Sequence, residues 1–250
     1  MKLILASVTA VVVLGLNCYA QPATGAKQPT GEKPPAAVAA PAATAPLDIA
    51  KAALAAHGGD KLKKLQSFLV KGSVDVSFQG QSLPGAFSTA FSGEKYYFEI
   101  VTPVQQLKQV FDGRQTSTSI QGFSLPPVTS LGFPLLPKIG DTGFVIAALP
   151  DTAKKRNGFR MTTPEGFYTD FVVDEKTGQI KGYEAKWMSG NQTITTSVEI
   201  DEFMTVDGIA VPKKYSQRFD LGPLTAYANF KAKDVKVNSA IEDSAFTIDK

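Results

Sequence analysis

From Phe68 onward the chain alternates apolar and polar residues with a period of two. Phe68, Val70, Val74, Val76 and Phe78 share one parity, and Lys71, Ser73, Asp75 and Gln79 fall between them. That is the pattern of a strand buried on one side only. Leu83, Phe87, Thr89 and Phe91 continue it after the polar turn at Gln79-Gly80-Gln81. Tyr96, Phe98 and Ile100 form a third row, and Leu107, Gln109 and Phe111 lead into Asp112-Gly113, from which Thr116 to Ile120 returns. The second half obeys the same rule. Phe167, Thr169, Phe171 and Val173 precede a turn at Asp174–Gly178, and Tyr183, Ala185 and Trp187 come back from it. Ile194, Thr196, Val198 and Ile200 make the next row. Asp207-Gly208 is a hairpin signal, followed by Val211, Tyr215 and Phe219 and then by Ala226, Ala228 and Phe230. The pattern predicts about nine to eleven strands in a mainly β (α+β) domain. Clean alternation and short turns imply an antiparallel sheet with one wet face and one covered face, and a sheet this wide curls.

Two segments break the pattern. A short N-terminal helix is predicted from Pro46 or Leu47 to Ala56, with Leu47, Ala50 and Leu54 on one face and a left-handed stop at Gly58-Gly59. Asp60 is then expected to cap a second short turn carrying Leu62 and Leu65. Residues 121–150 are strongly apolar yet hold five prolines, which deny them a long helix or a central strand. They read either as a plug filling the open side of the sheet or as a lid over an apolar cavity, with Phe123, Leu131, Phe133 and Leu135 as the lid side chains.

The start of the chain has a different character. Met1-Lys2 is followed by an uncharged apolar run from Leu3 to Leu16 and by Cys18-Tyr19-Ala20, the layout of a secretory signal peptide over residues 1–20. Cleavage after Ala20 gives a free periplasmic protein, and lipidation at Cys18 is the alternative. The first reading is preferred because Gly15 and Asn17 stand where a lipoprotein signal wants Leu and a small residue. Residues 21–46 hold 6 prolines and 9 alanines without an aromatic, a disordered Pro/Ala-rich linker. The folded domain is therefore expected at 47–250.

Composition narrows the chemistry. Loss of Lys2 with the signal peptide leaves 25 basic against 23 acidic residues, a net charge of +2 without a clustered basic face, which argues against nucleic acid as a partner. Past the signal peptide no apolar run is long enough to cross a bilayer as a helix. With one cysteine and one histidine the chain offers no zinc cluster and no zinc-protease motif. His57 sits at the predicted helix end, where a protonated imidazole would meet the helix C-terminal partial charge, and its expected role is structural. Glu199, Asp201 and Glu202, with Asp170 and Asp174, are the only candidates for carboxylate-dependent hydrolysis. Glu199 and Asp201 lie on the polar side of their strand, where solubility accounts for them.

Several stretches resemble the bacterial lipoprotein-carrier superfamily, the LolA/RseB-like proteins. They are the acidic turn Val173-Asp174-Glu175-Lys176-Thr177-Gly178, Val206-Asp207-Gly208-Ile209-Ala210-Val211-Pro212, and the tail Val237 to Phe246, together with His57-Gly58-Gly59 before the long strand from Ser67. The similarity lies in turns and strand endings over most of residues 47–250. It implies a strongly curved, half-open antiparallel sheet with an apolar inner face, and a carrier of lipoprotein acyl chains or a sensor of envelope stress. The function expected is that of an exported, non-catalytic protein without a cofactor, binding a lipid or lipid-modified protein. The alternative is an interaction or sensor module with a filled interior and an envelope protein as partner. Phe87, Phe91, Phe98, Phe171, Tyr183, Trp187 and Tyr215, all on inward rows, are the candidate ligand-binding residues.

Overall fold

The computed structural model describes residues 45–119, 129, 131–150, 156–189, 192–221 and 224–248. The expected signal peptide, nearly all of the linker, Cys18 and the lid residue Phe123 lie outside the described residues.

Helix α1 (Pro46–Ala56) begins with proline at its first position and Asp48 in its first turn, and it buries Ala50 and Ala53 completely. Its end is fixed by two backbone bonds, Gly59 N–H to the Leu54 carbonyl at 2.9 Å and Gly58 N–H to the Ala55 carbonyl at 3.2 Å. That is a Schellman stop, with φ of +116° at Gly58 and +53° at Gly59. Gly58 is needed for a second reason, since a Cβ there would stand 2.9 Å from the Gly208 carbonyl oxygen. Helix α2 (Asp60–Lys63) follows at once. Asp60 is its first residue rather than its cap; Gly59 holds the cap position, and no side chain bonds the free N–H groups. The two glycines that end α1 leave no residue between the helices for a capping side chain.

Among the described residues twelve strands form one antiparallel sheet. In chain order they are β1 (Ser67–Phe78), β2 (Gln81–Ser92), β3 (Lys95–Val101), β4 (Gln106–Phe111), β5 (Thr116–Thr118), β6 (Val145–Ala147), β7 (Gly158–Thr162), β8 (Tyr168–Val173), β9 (Ile180–Ser189), β10 (Gln192–Val206), β11 (Ile209–Leu221) and β12 (Leu224–Val237). Their spatial order is β5-β4-β3-β2-β1-β12-β11-β10-β9-β8-β7-β6, so the first and last long strands join the two halves and the sheet does not close into a barrel. The architecture is the mainly β, curved, open sheet expected. The count exceeds the expected range because β6 and β7, of 3 and 5 residues, carry too few positions to register a period. Asp207 and Gly208 take φ of +51° and +81°, the left-handed pair that turns β10 tightly into β11.

Register places the inward residues in line. Val76, Ala228, Gln217, Val198, Tyr183, Phe171 and Phe159 are successive direct partners across seven strands, and Phe68, Phe91, Tyr96 and Phe111 across four. One core lies where α1, α2 and the 3-10 segment Phe133–Lys138 press on β7 to β9, around Leu62, Leu135, Leu136, Phe159 and Phe171. A second lies between β1, β2 and β12 around Val74, Phe87 and Phe230.

The outer face is not wet throughout, contrary to expectation. Leu69, Ala90, Tyr97 and Val110 are direct partners at the polar parity, and the C-terminal 3-10 turn Asp243–Phe246 covers them. Phe246 is 2 % exposed and meets the Tyr97 ring at 5.9 Å. The strands here carry apolar residues at both parities, so each face must be covered. Phe246→Ala is expected to cost about 3–5 kcal/mol, the usual range for emptying a buried phenylalanine site. Thermal denaturation checks this, and a variant as stable as the parent would show that the tail does not seal the outer face.

Candidate functional site

The inner face is only partly covered. Between β1–β3, β9–β11 and the start of the 3-10 segment lies a cavity of about 190 Å³. Phe91, Phe98, Tyr183, Trp187 and Tyr215 line it, as do Leu131 and Phe133 from the covering segment. Phe87, Phe171 and Leu135 do not. They stand behind the wall, 2 %, 0 % and 1 % exposed, and they stiffen it. Phe87 and Phe230 meet edge to face at 5.0 Å, and Tyr215 stacks on Phe230 at 4.7 Å. Phe171 stacks on Phe159 at 5.0 Å and leans on Tyr183 at 5.9 Å. Strand parity is the same for a residue that faces open space and for one that faces packed atoms, so a period of two cannot separate these groups. It also gives no reason to select Phe68, Ile200, Val211 and Phe219, which line the cavity too. All lie on rows of the inward parity.

The described part of the covering segment has two faces. Leu135 and Leu136 are fully enclosed in the core, the plug. Leu131, Phe133 and Pro134 form the cavity wall, the lid. Proline supplies no N–H, so Pro134 and Pro137 keep the segment off the sheet's hydrogen-bond ladder and over its side chains. The segment is held by Gly132 N–H donating to Thr169 Oγ1 at 3.1 Å, with the Gly132 backbone lying directly on the Tyr183 ring. A Cβ at Gly132 would stand 2.5 Å from Tyr183 Cζ, so only glycine fits. A smaller void of about 20 Å³ continues beneath Pro137, sharing Phe68, Phe91, Phe133 and Pro134 with the larger one.

No charged residue lines the cavity among the described residues. Tyr183 and Tyr215 keep part of their surface open to it, yet they lie so deep that desolvation raises both phenols far above the ordinary value, and both are neutral. Glu199 and Asp201 are exposed. Glu202 pairs with Lys213 at 2.5 Å and Lys214 at 2.6 Å, which lowers its carboxyl to about 2. None of these three carboxylates reaches the cavity.

Beneath the lid, His57 is completely buried and neutral, not the protonated helix-end imidazole anticipated. The Ile180 N–H donates to Nε2 at 3.0 Å, which makes Nε2 an acceptor and puts the ring proton on Nδ1, where it donates to the Ala210 carbonyl at 3.1 Å. The ring thereby ties the end of α1 to the starts of β9 and β11, and Phe133 rests edge-on against it at 5.3 Å. Desolvation lowers its pKa below the ordinary 6.5. The unfolded chain therefore binds a proton that the folded one does not, so this group's stabilisation is present above pH 6.5 and is lost as pH falls from there through the folded value. His57 is the only histidine, so the melting temperature should fall between pH 7.5 and 5.5. His57→Gln should flatten that limb while costing about 1–3 kcal/mol at pH 7.5 through the orphaned Ile180 N–H. A parent melting temperature that does not change over this interval would contradict the assignment.

No protein-family model matches the chain, and no curated protein does. Among solved structures, the chain is similar to a LolA superfamily protein from Nitrosomonas europaea, with a TM-score of 0.51 and 13 % identity over 82 % of this chain and 99 % of that one. It is also similar to a DUF1329 family protein from Desulfovibrio piger (TM-score 0.46, 10 % identity, 82 % and 98 % of the chains). A third likeness is to a putative outer membrane lipoprotein-sorting protein domain from Vibrio parahaemolyticus (TM-score 0.43, 9 % identity, 80 % and 95 %). The first of these shows the fold, and it agrees with the LolA/RseB-like resemblance carried by the turns and strand endings.

Proposed function

We propose that this is an exported, non-catalytic envelope protein that holds an apolar ligand, a lipid or an acyl chain of a lipid-modified protein, against the inner face of its sheet. The observation that carries the reading is the uncharged, aromatic-walled cavity of about 190 Å³ under the lid. An engineered cavity of about 150 Å³ lined by Leu, Ile and Phe stays dry and takes up benzene, so a space of this size and lining is a binding site for hydrocarbon. The signal-peptide pattern of residues 1–20 and the LolA-type fold support a periplasmic setting.

The cavity is partly open, so a chain longer than it lies partly outside. Phe133 is shared with the smaller void beneath Pro137, and removal of its ring would join the two.

Trp187 lines the cavity and is the only tryptophan, so its fluorescence reports occupancy directly. 1-Bromohexane and 1-bromohexadecane should both quench it saturably. In Phe133→Ala the longer chain should gain on the shorter. Absence of saturable quenching by either compound would refute the binding role and leave the scaffold reading, in which the interior is filled and the surface engages an envelope protein.

A further inference from the structure

The polar groups in the cavity wall are unevenly satisfied. Thr89 donates to the Tyr97 carbonyl at 3.2 Å and Gln217 donates to Thr196 at 2.9 Å, so these lining groups are paired within the wall. The phenols of Tyr183 and Tyr215 are not: neither has a hydrogen-bond partner among the described residues. Both line the cavity, Tyr183 from β9 and Tyr215 from β11. The indole N–H of Trp187, in the same wall, is enclosed without a partner. It is shut off from the open space, so the phenols are the donors that a ligand reaches first, and the indole adds its positive edge to the same region. A pure hydrocarbon would leave both phenols unpaired, and each buried unpaired donor costs about 1–3 kcal/mol.

We propose that the cavity selects an apolar ligand bearing a neutral carbonyl, the C=O of a carboxylic ester or of a quinone ring, held by Tyr183 and Tyr215, and that it rejects the ionised carboxylate of a free fatty acid. This rests on the binding role proposed above and names the ligand for that same site. A carbonyl oxygen has two lone pairs and accepts a hydrogen bond from either phenol. A carboxylate would accept as well, but no lysine, arginine or histidine lines the cavity among the described residues to offset its charge. An ion without a counter-charge in such a site costs several kcal/mol, so a fatty acid enters only in its protonated form. Phe171 and Phe230 fix the two tyrosine rings from behind, so the donors are in place before the ligand arrives.

The test uses the full-length chain and isothermal titration calorimetry with four ligands sized to the cavity: methyl hexanoate, hexanoate, 2,5-dimethylbenzoquinone and butylbenzene. At pH 8 hexanoate should bind at least about 100-fold more weakly than methyl hexanoate. Its affinity should then rise about tenfold per pH unit towards pH 5, because a carboxyl of this kind titrates near 4.3, while the ester's affinity stays level relative to butylbenzene. The double variant Tyr183→Phe/Tyr215→Phe should lose about tenfold more for the ester or the quinone than for butylbenzene. Tighter binding of the ester than of the quinone assigns an acyl ester, and the reverse assigns a quinone. Hexanoate binding within about threefold of the ester at pH 8 overturns the inference, as does a double variant that weakens butylbenzene as much as the carbonyl ligands. Butylbenzene binding survives in both of those cases, and its failure along with the rest would refute the binding role itself.

Discussion

The structure depends on an imbalance of area. Twelve strands set about 4.8 Å apart would span roughly 50 Å if laid flat, and one side of that surface is apolar along almost its whole width. The covering elements are small. Helix α1 has 11 residues, about 16 Å of helix; α2 has 4 and the 3-10 segment Phe133–Lys138 has 6. Such a sheet has to curl over what it has, and the described elements do not cover all of the apolar face. Over β7 to β9 the helices and Leu135-Leu136 fill the concavity. Towards β1 and β11, among the described residues, Leu131, Phe133 and Pro134 cover the face and the remaining space is the cavity. Packing defects of this size are normally removed, because a void forfeits the contacts of every atom that lines it. This one is walled by aromatic stacks, has no charged residue in its lining among the described residues, and lies under a proline-held segment.

Charge follows the same division. Arg160 grips Asp170 with two bonds of 2.6 and 2.8 Å on the outer side of β7 and β8 and lies over the Tyr168 ring at 4.1 Å. Glu202 pairs with Lys213 and Lys214 near the β10–β11 hairpin. Inside, the buried titratable groups are held neutral. His57 is clamped between two backbone partners, and the phenols of Tyr183 and Tyr215 lose their ionised form to desolvation. The wall that faces the cavity is therefore both uncharged and unresponsive to the pH of its surroundings, whereas the clamp beneath it is not.

Most of the frame was legible in the chain. The Gly58-Gly59 stop, the Asp207-Gly208 turn and ten of the rows of alternating residues each have a local cause, and local causes survive without knowledge of the partner strand. What was not legible depends on contacts distant in sequence. Tyr97 and Val110 are apolar on the outer side because Phe246, far along the chain, comes back to cover them. The neutrality of His57 is set by its burial, and Ile180, more than a hundred residues away, donates to its Nε2. Phe87, Phe171 and Leu135 share the inward parity of the cavity residues and differ from them only in what stands opposite. A single sequence can say which way a side chain points, and only the fold says whether anything is there to meet it.

The central claim is that the uncovered part of the inner face is occupied by an apolar molecule in the cell. Native mass spectrometry of the full protein isolated gently from its own envelope measures this without choosing a ligand beforehand. A stoichiometric, non-covalent adduct that leaves on mild activation and partitions into organic solvent is the predicted result. A mass equal to that of the bare mature chain, from a preparation that has seen no detergent and no added lipid, would contradict it.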